Sequence, residues 1–232
     1  PTESRSAGNL TLLPVSQAPP PLEWPPMSEP FASGFLAESI EILSKLSVDE
    51  IEGTVALLRK TRDRGGRLFF CGSGGGAGHA SHATCDFRKL AGFEAYCVSD
   101  NVSELTARVN DDGWDQAYAD WLAGSRIGPD DCVVVFSVGG GDEVRNVSPN
   151  LVNAVLLAKK VGASVTGVVG RDGGALRRLA DCSILVPTVI ESNVTAQTEA
   201  MQALLWHLMI MHPELSQATP KWESLSPVSP SA

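Results

Sequence analysis

Three short apolar runs in this chain each end in a cluster of glycines, and this restricts the fold more than any other feature. Arg67–Cys71 runs into Gly72-Ser-Gly-Gly-Gly-Ala-Gly78, Cys132–Phe136 into Ser137-Val-Gly-Gly-Gly-Asp142, and Ala163–Val169 into Gly170-Arg-Asp-Gly-Gly174. Near-continuous apolar runs separated by helical segments mark a parallel sheet covered on both faces. Glu94–Val98 and Cys182–Pro187 supply a second and a fifth strand. Helical spacing appears in Phe35, Leu36, Ile40, Leu43 and Leu46, and again in Ile51, Val55, Leu57 and Leu58. Further helices are expected at 78–90, 103–109, 113–124, from Ser148-Pro149 onward, just after Gly174, and over 193–211. Ser148-Pro149 joins a good N-cap to a proline at the first helical position. The expected class is therefore α/β: a three-layer αβα sandwich on a doubly wound, five-stranded parallel sheet, preceded by N-terminal helices. Residues 1–30, rich in Pro, Ser and Thr, are expected to form an extended or disordered arm, 31–212 the domain, and 213–232 a polar tail.

In an open parallel sheet, ligands bind beyond the carboxyl ends of the strands, where the connectivity reverses. Glycines there let the backbone approach a ligand, and the following helix turns free N–H groups and its positive dipole end toward it. The candidate anion contacts are Ser73, Gly74, Gly75 and Gly76 in the first loop and Ser137, Val138, Gly139 and Ser148 in the second. A formal charge of −9 without a Lys or Arg run argues against nucleic acid and anionic membranes as partners. A small anion is compatible with it, since backbone amides hold phosphate without a basic patch. No Gly-x-x-x-x-Gly-Lys-Ser/Thr motif is present. Gly72-Ser-Gly74-Gly-Gly-Ala77 matches the dinucleotide fingerprint, but Asp100 lies 28 positions past Gly72, where about 20 is wanted. A dehydrogenase is thus a minor rival, and no nucleotide cofactor is expected. Five scattered cysteines without a C-x-x-C pair fit a reducing cytoplasm, and no apolar window approaches the roughly 18 residues of a membrane span.

Directly after the first loop come His82 and Asp86, four apart and so on one helix face. The last helix carries Glu199 and His207, about 80° apart around its axis. Each alone has an ordinary explanation, an exposed helix pair or a hydrogen-bonded core histidine. Two histidines and two carboxylates on helices flanking phosphate loops point to acid–base chemistry or a metal site. His79 and His212 read as peripheral.

From about Phe35 to Pro213 the chain resembles the sugar-isomerase (SIS) domain family, and within it the bacterial sedoheptulose-7-phosphate (phosphoheptose) isomerases. The resemblance is carried by Gly72–His82, Leu105–Gly113 with Asn110-Asp111, Ser148–Lys159, Thr166–Ala180 and Thr195–His207. It implies isomerisation of sedoheptulose 7-phosphate to D-glycero-D-manno-heptose 7-phosphate, a cytoplasmic homotetramer with active sites at subunit boundaries, and zinc in many members. It implies phosphate binding by Ser137 and Ser148, substrate contacts at Asp111 and Thr195, and catalysis by Asp86, Glu199 and His207. Zinc would fall to His82, Asp86, Glu199 and His207. The chain departs from the family pattern at Gly76 for a serine, Asp86 for a glutamate and Glu199 for a glutamine, and Gly140–Val147 is inserted in the second loop. Two other readings therefore stay open: a sugar-phosphate-binding regulator or scaffold without catalysis, and an isomerase of another phosphosugar, such as one from a secondary-metabolite or capsule pathway.

Overall fold

The computed structural model describes residues 30–225, so the N-terminal arm expected over 1–30 falls, apart from Pro30, outside the described residues. Two helices come first, α1 (Phe31–Lys45) and α2 (Val48–Asp63). Then follow β1 (Leu68–Gly72), α3 (Gly75–Leu90), β2 (Ala95–Cys97), α4 (Val102–Asp111) and α5 (Ala117–Gly124). The second half runs β3 (Cys132–Ser137), α6 (Pro149–Lys160), β4 (Ser164–Val169), α7 (Gly174–Leu179), β5 (Ile184–Leu185) and α8 (Val194–Met211), with one 3-10 turn at Glu191–Asn193. The five strands form one sheet in the order β2-β1-β3-β4-β5, every pair parallel. This is the expected three-layer sandwich. The chain winds outward from β1 to β2, then returns to the other side of β1 for β3, so the loops after β1 and β3 part at the switch point.

Strand alternation builds two cores. Leu68, Phe70, Val134 and Phe136 point into a layer with Val55, Leu58, Ala83, Phe87, Leu205 and Trp206, from α2, α3 and α8. Phe69, Cys71, Val133 and Val135 point the other way, onto Tyr118, Leu122, Leu151, Val155 and Leu176, from α5, α6 and α7. Burying such side chains contributes roughly 1.5–3 kcal/mol each.

Across the first layer α1 and α8 are fastened by a buried polar clamp. The Glu38 carboxylate accepts from Ile190 N (3.1 Å), Asn193 Nδ2 (2.7 Å) and Gln197 Nε2 (3.3 Å), and Ser39 Oγ donates to Gln197 Oε1 (2.9 Å).

Two local expectations shift. α3 opens at Gly75 rather than Gly78, taking three glycines into its first turns. Glycine is unfavourable in a helix interior, but here close packing requires it: a Cβ on Gly76 would stand 2.4 Å from the Phe136 carbonyl oxygen. Ser148 does precede α6, yet its backbone is left-handed (φ 51°) and its side chain makes no capping bond. Residues 213–218, the start of the stretch read as a polar tail, pack on the domain. Leu215 is buried, Gln217 N and Ala218 N donate to Leu90 O, and Arg62 holds the Glu214 and Leu215 carbonyls.

Candidate active site

The first loop leaves β1 under tight control. Tyr118, buried on α5, donates its hydroxyl to Gly72 O (2.7 Å), and burial pushes its phenol up to about 12. Gly74 then turns at φ 58°, a conformation that favours glycine. Asn150, fully buried in the first turn of α6, donates Nδ2–H to Ser73 Oγ (3.1 Å), which leaves the serine proton free to donate. In the second loop Ser137 Oγ accepts from Gly140 N (3.0 Å), so its proton is also available. The inserted residues close a small hairpin in which Asp142 and Val147 exchange backbone hydrogen bonds of 2.9 Å.

The third glycine cluster braces the second. Gly170 N donates to Val138 O, Ala175 N to Gly141 O and Leu176 N to Gly140 O, each at 2.9 Å. The N–H groups opening α7 are thus committed within the protein. Side chains are barred from this seam, since a Cβ on Gly140 would lie 1.9 Å from Gly173 O.

Between these loops and α8 lies a cleft of about 1130 Å³. Of the candidate anion contacts, Ser73, Gly76, Ser137, Val138, Gly139 and Ser148 line it. Gly74 lies at the turn into α3, and Gly75 lies beneath the Glu199 carboxylate, whose oxygens would be 2.3–2.5 Å from a Cβ placed there. Glu199 lines the cleft from α8 and has no hydrogen bond or ion pair with any described residue. Asp111, at the end of α4, and Thr195, in the first turn of α8, are exposed and stand outside the cleft walls.

His82, Asp86 and His207 converge at a second place. Asp86 Oδ2 lies 3.5 Å from both His82 Nε2 and His207 Nε2, and also accepts from Trp206 Nε1 (3.2 Å). His207 Nδ1 contacts the Ala203 carbonyl at 2.7 Å, so that nitrogen carries the proton of the neutral ring and Nε2 presents its lone pair. The three ligand atoms lie within 4.8 Å of one another. Two imidazole nitrogens and a carboxylate form a donor set that suits zinc and leaves a coordination position open, and the carbonyl behind His207 orients its ring as an outer partner would. Glu199 is eight residues ahead of His207, about 12 Å along the helix axis, and faces the cleft instead. The four residues expected as one ligand set are thus divided three and one.

His79, read from sequence as peripheral, stands between the two places. Gln202 Nε2 donates to Val168 O (3.1 Å), so its Oε1 must accept from His79 Nδ1 (3.0 Å). The His79 ring lies 5.1 Å from Trp206, whose own ring lies 4.9 Å from His207. A signal for this existed: Glu199, Gln202 and Trp206 follow the i, i+3, i+7 spacing of one helix face.

The SIS domain family matches residues 34–170, more than half of the chain. This chain belongs to that family. A lincomycin biosynthesis protein of Streptomyces lincolnensis, LmbN, is 36% identical over 184 residues, a match covering 75% of this chain and 65% of that protein. This SIS chain therefore spans less than two-thirds of that relative's length. The phosphoheptose isomerase of Solidesulfovibrio magneticus is 34% identical over 151 residues, covering 63% of this chain and 68% of that one. The structure of the phosphoheptose isomerase from Neisseria gonorrhoeae superposes with a TM-score of 0.67 at 26% identity, covering 77% of this chain and 94% of that chain. Relatives named as isomerases thus match this chain both in sequence and in fold.

Proposed function

We propose that this SIS chain is an aldose–ketose isomerase that converts sedoheptulose 7-phosphate into D-glycero-D-manno-heptose 7-phosphate. The observation that carries the proposal is the opposition, across one cleft, of a serine- and glycine-lined anion cradle and the unpaired Glu199 carboxylate. Ser73, Ser137 and Ser148 donate hydroxyls to the phosphate, with Gly139 giving backbone access. Glu199 removes a proton from C1 of the ketose, and the C2 carbonyl oxygen takes up the charge to give an enediolate. The O1 proton passes to O2, and the Glu199 carboxyl returns its proton to C2, leaving the aldehyde at C1. His82, Asp86 and His207 are the residues that would hold zinc. When bound, the ion supplies Lewis-acid stabilisation of developing oxyanion charge.

The test is turnover of sedoheptulose 7-phosphate followed by NMR. Glu199→Gln sets the glutamine of the family pattern in place but removes the base assigned to this chain, and should lower the rate about 10²–10⁴-fold, the usual range for a lost general base. Asp86→Asn and His207→Ala should lower both activity and zinc content measured by elemental analysis. Unchanged rates in all three variants would remove the mechanism.

A second reading keeps the reaction type but changes the sugar. The inserted hairpin contributes Asp142, Glu143, Val144, Arg145 and Val147 to the cleft wall, and the similarity to a lincomycin biosynthesis protein points the same way. A panel of six-, seven- and eight-carbon sugar phosphates compared by kcat/KM separates the two readings.

A further inference from the structure

We propose that Arg171 is the cation that clamps the substrate phosphate, an assignment that rests on the phosphosugar reading above. A monoester dianion entering this cleft meets Asp142, Glu143, Asp172, Glu191 and Glu199 in its walls, on a chain of formal charge −9. The amides opening α7 are bonded within the protein and so do not offset that repulsion. Three arginines line the cleft: Arg145, Arg171 and Arg178. Arg178 is committed to Glu143 at 2.8 Å, and Arg145 Nε lies 3.6 Å from Asp142 on the outer hairpin. Arg171 has no hydrogen bond or ion pair with any described residue.

Its placement is built. Gly173 N donates to Gly170 O (2.9 Å), closing a turn in which Arg171 sits at φ 54°. That left-handed conformation is disfavoured for a residue with a side chain and persists only where the surroundings impose it. Here both ends of the turn are bonded to the second loop, through Gly170 N to Val138 O and Ala175 N to Gly141 O. The arginine stem lies over Gly139, its Cδ 3.5 Å from where a Cβ on that glycine would stand. The arginine stem thus lies against the cradle at ordinary contact distance. Ser148, on the same cleft wall, is left-handed as well (φ 51°). Glycine or asparagine would suit position 171 better as backbone. The arginine gains instead a planar fork that matches two phosphate oxygens.

The experiment compares wild type, Arg171→Gly and Arg171→Lys. Calorimetry with inorganic phosphate and with sedoheptulose 7-phosphate gives Kd, turnover gives KM and kcat, and thermal melts without ligand give Tm. Arg171→Gly should hold or raise Tm because it relieves the backbone. It should weaken binding of both ligands at least tenfold, raise KM more than it lowers kcat, and flatten the dependence of Kd on salt. Arg171→Lys, which keeps the charge and loses the fork, should fall between. Binding by Arg171→Gly within twofold of wild type overturns the assignment. The isomerase reading fails separately: wild type that binds phosphate, loses it in Arg171→Gly and turns over no sugar phosphate leaves Arg171 standing alone. Wild type that turns over sugar phosphate with a KM unmoved by Arg171→Gly does the reverse.

Discussion

Asp131 stands at the foot of β3 and accepts four hydrogen bonds: from Arg67 N (2.9 Å), Nε (3.1 Å) and Nη2 (2.8 Å), and from Gly128 N (2.8 Å). Burial pushes its carboxyl up, but Arg67 and the backbone donors outweigh this and hold it below the ordinary 3.8. A carboxylate depressed on folding stabilises above its unfolded value and loses that contribution as pH falls through the folded one. Asp131→Asn should therefore cost about 1.5–3 kcal/mol in urea unfolding at neutral pH, the range for hydrogen bonds made to a charged group. The gap between the two proteins should close as pH drops below about 4. Gly76 gives a second expectation at this scale. Gly76→Ser restores the residue of the family pattern, yet its Cβ would meet Phe136 O at 2.4 Å, so it should lower Tm and add no phosphate affinity. His82 and Asp86 were legible in the sequence because helical geometry alone decides what lies four residues on. The seat of Glu199 on Gly75 was not, because it depends on how α8 packs against α3. Tyr118 is farther from reach still, since its contact with Gly72 joins residues 46 apart.

Among the elements, the second and third loops form a single unit. Strand and helix identities followed from apolar runs and glycine punctuation; β2, β4 and β5 stand within their expected spans, and β1 and β3 each run one residue past theirs, to Gly72 and Ser137. What spacing did not convey was where the amides of the third cluster go. A glycine run bonded to another loop reads the same as one open to a ligand, and only the partner carbonyls of Gly140 and Gly141 distinguish them. Gly140→Ala tests the brace: φ is 70° there and a Cβ would strike Gly173 O. It should lower Tm and weaken phosphate binding together, read by melts and calorimetry, whereas Gly78→Ala, where a Cβ meets nothing within 4 Å, should do neither.

At the scale of the whole molecule, α1 exposes Leu36, Ile40 and Leu43 along one face and α8 exposes Leu204, Leu208 and Met211. Both follow the i, i+4, i+7 spacing, and apolar faces of this kind mark contacts between chains. The homotetramer that the family resemblance implies would be held together on these faces. Sedimentation should give about four times the chain mass, and Ile40→Glu with Leu208→Glu should reduce it and lower activity, because His207 sits between Leu204 and Leu208. No helix among the described residues is long and apolar enough to cross a membrane.

The clamp from Glu38 to Asn193 and Gln197 also bears on the order in which a working site can arise. On the ribosome the sheet and both glycine loops emerge before α8, and until that helix follows, the Glu38 carboxylate lacks the Asn193 and Gln197 donors that satisfy it. The last described helix supplies those donors and brings Glu199 to the cleft in one event, which ties the completion of the cleft wall to the closing of the clamp.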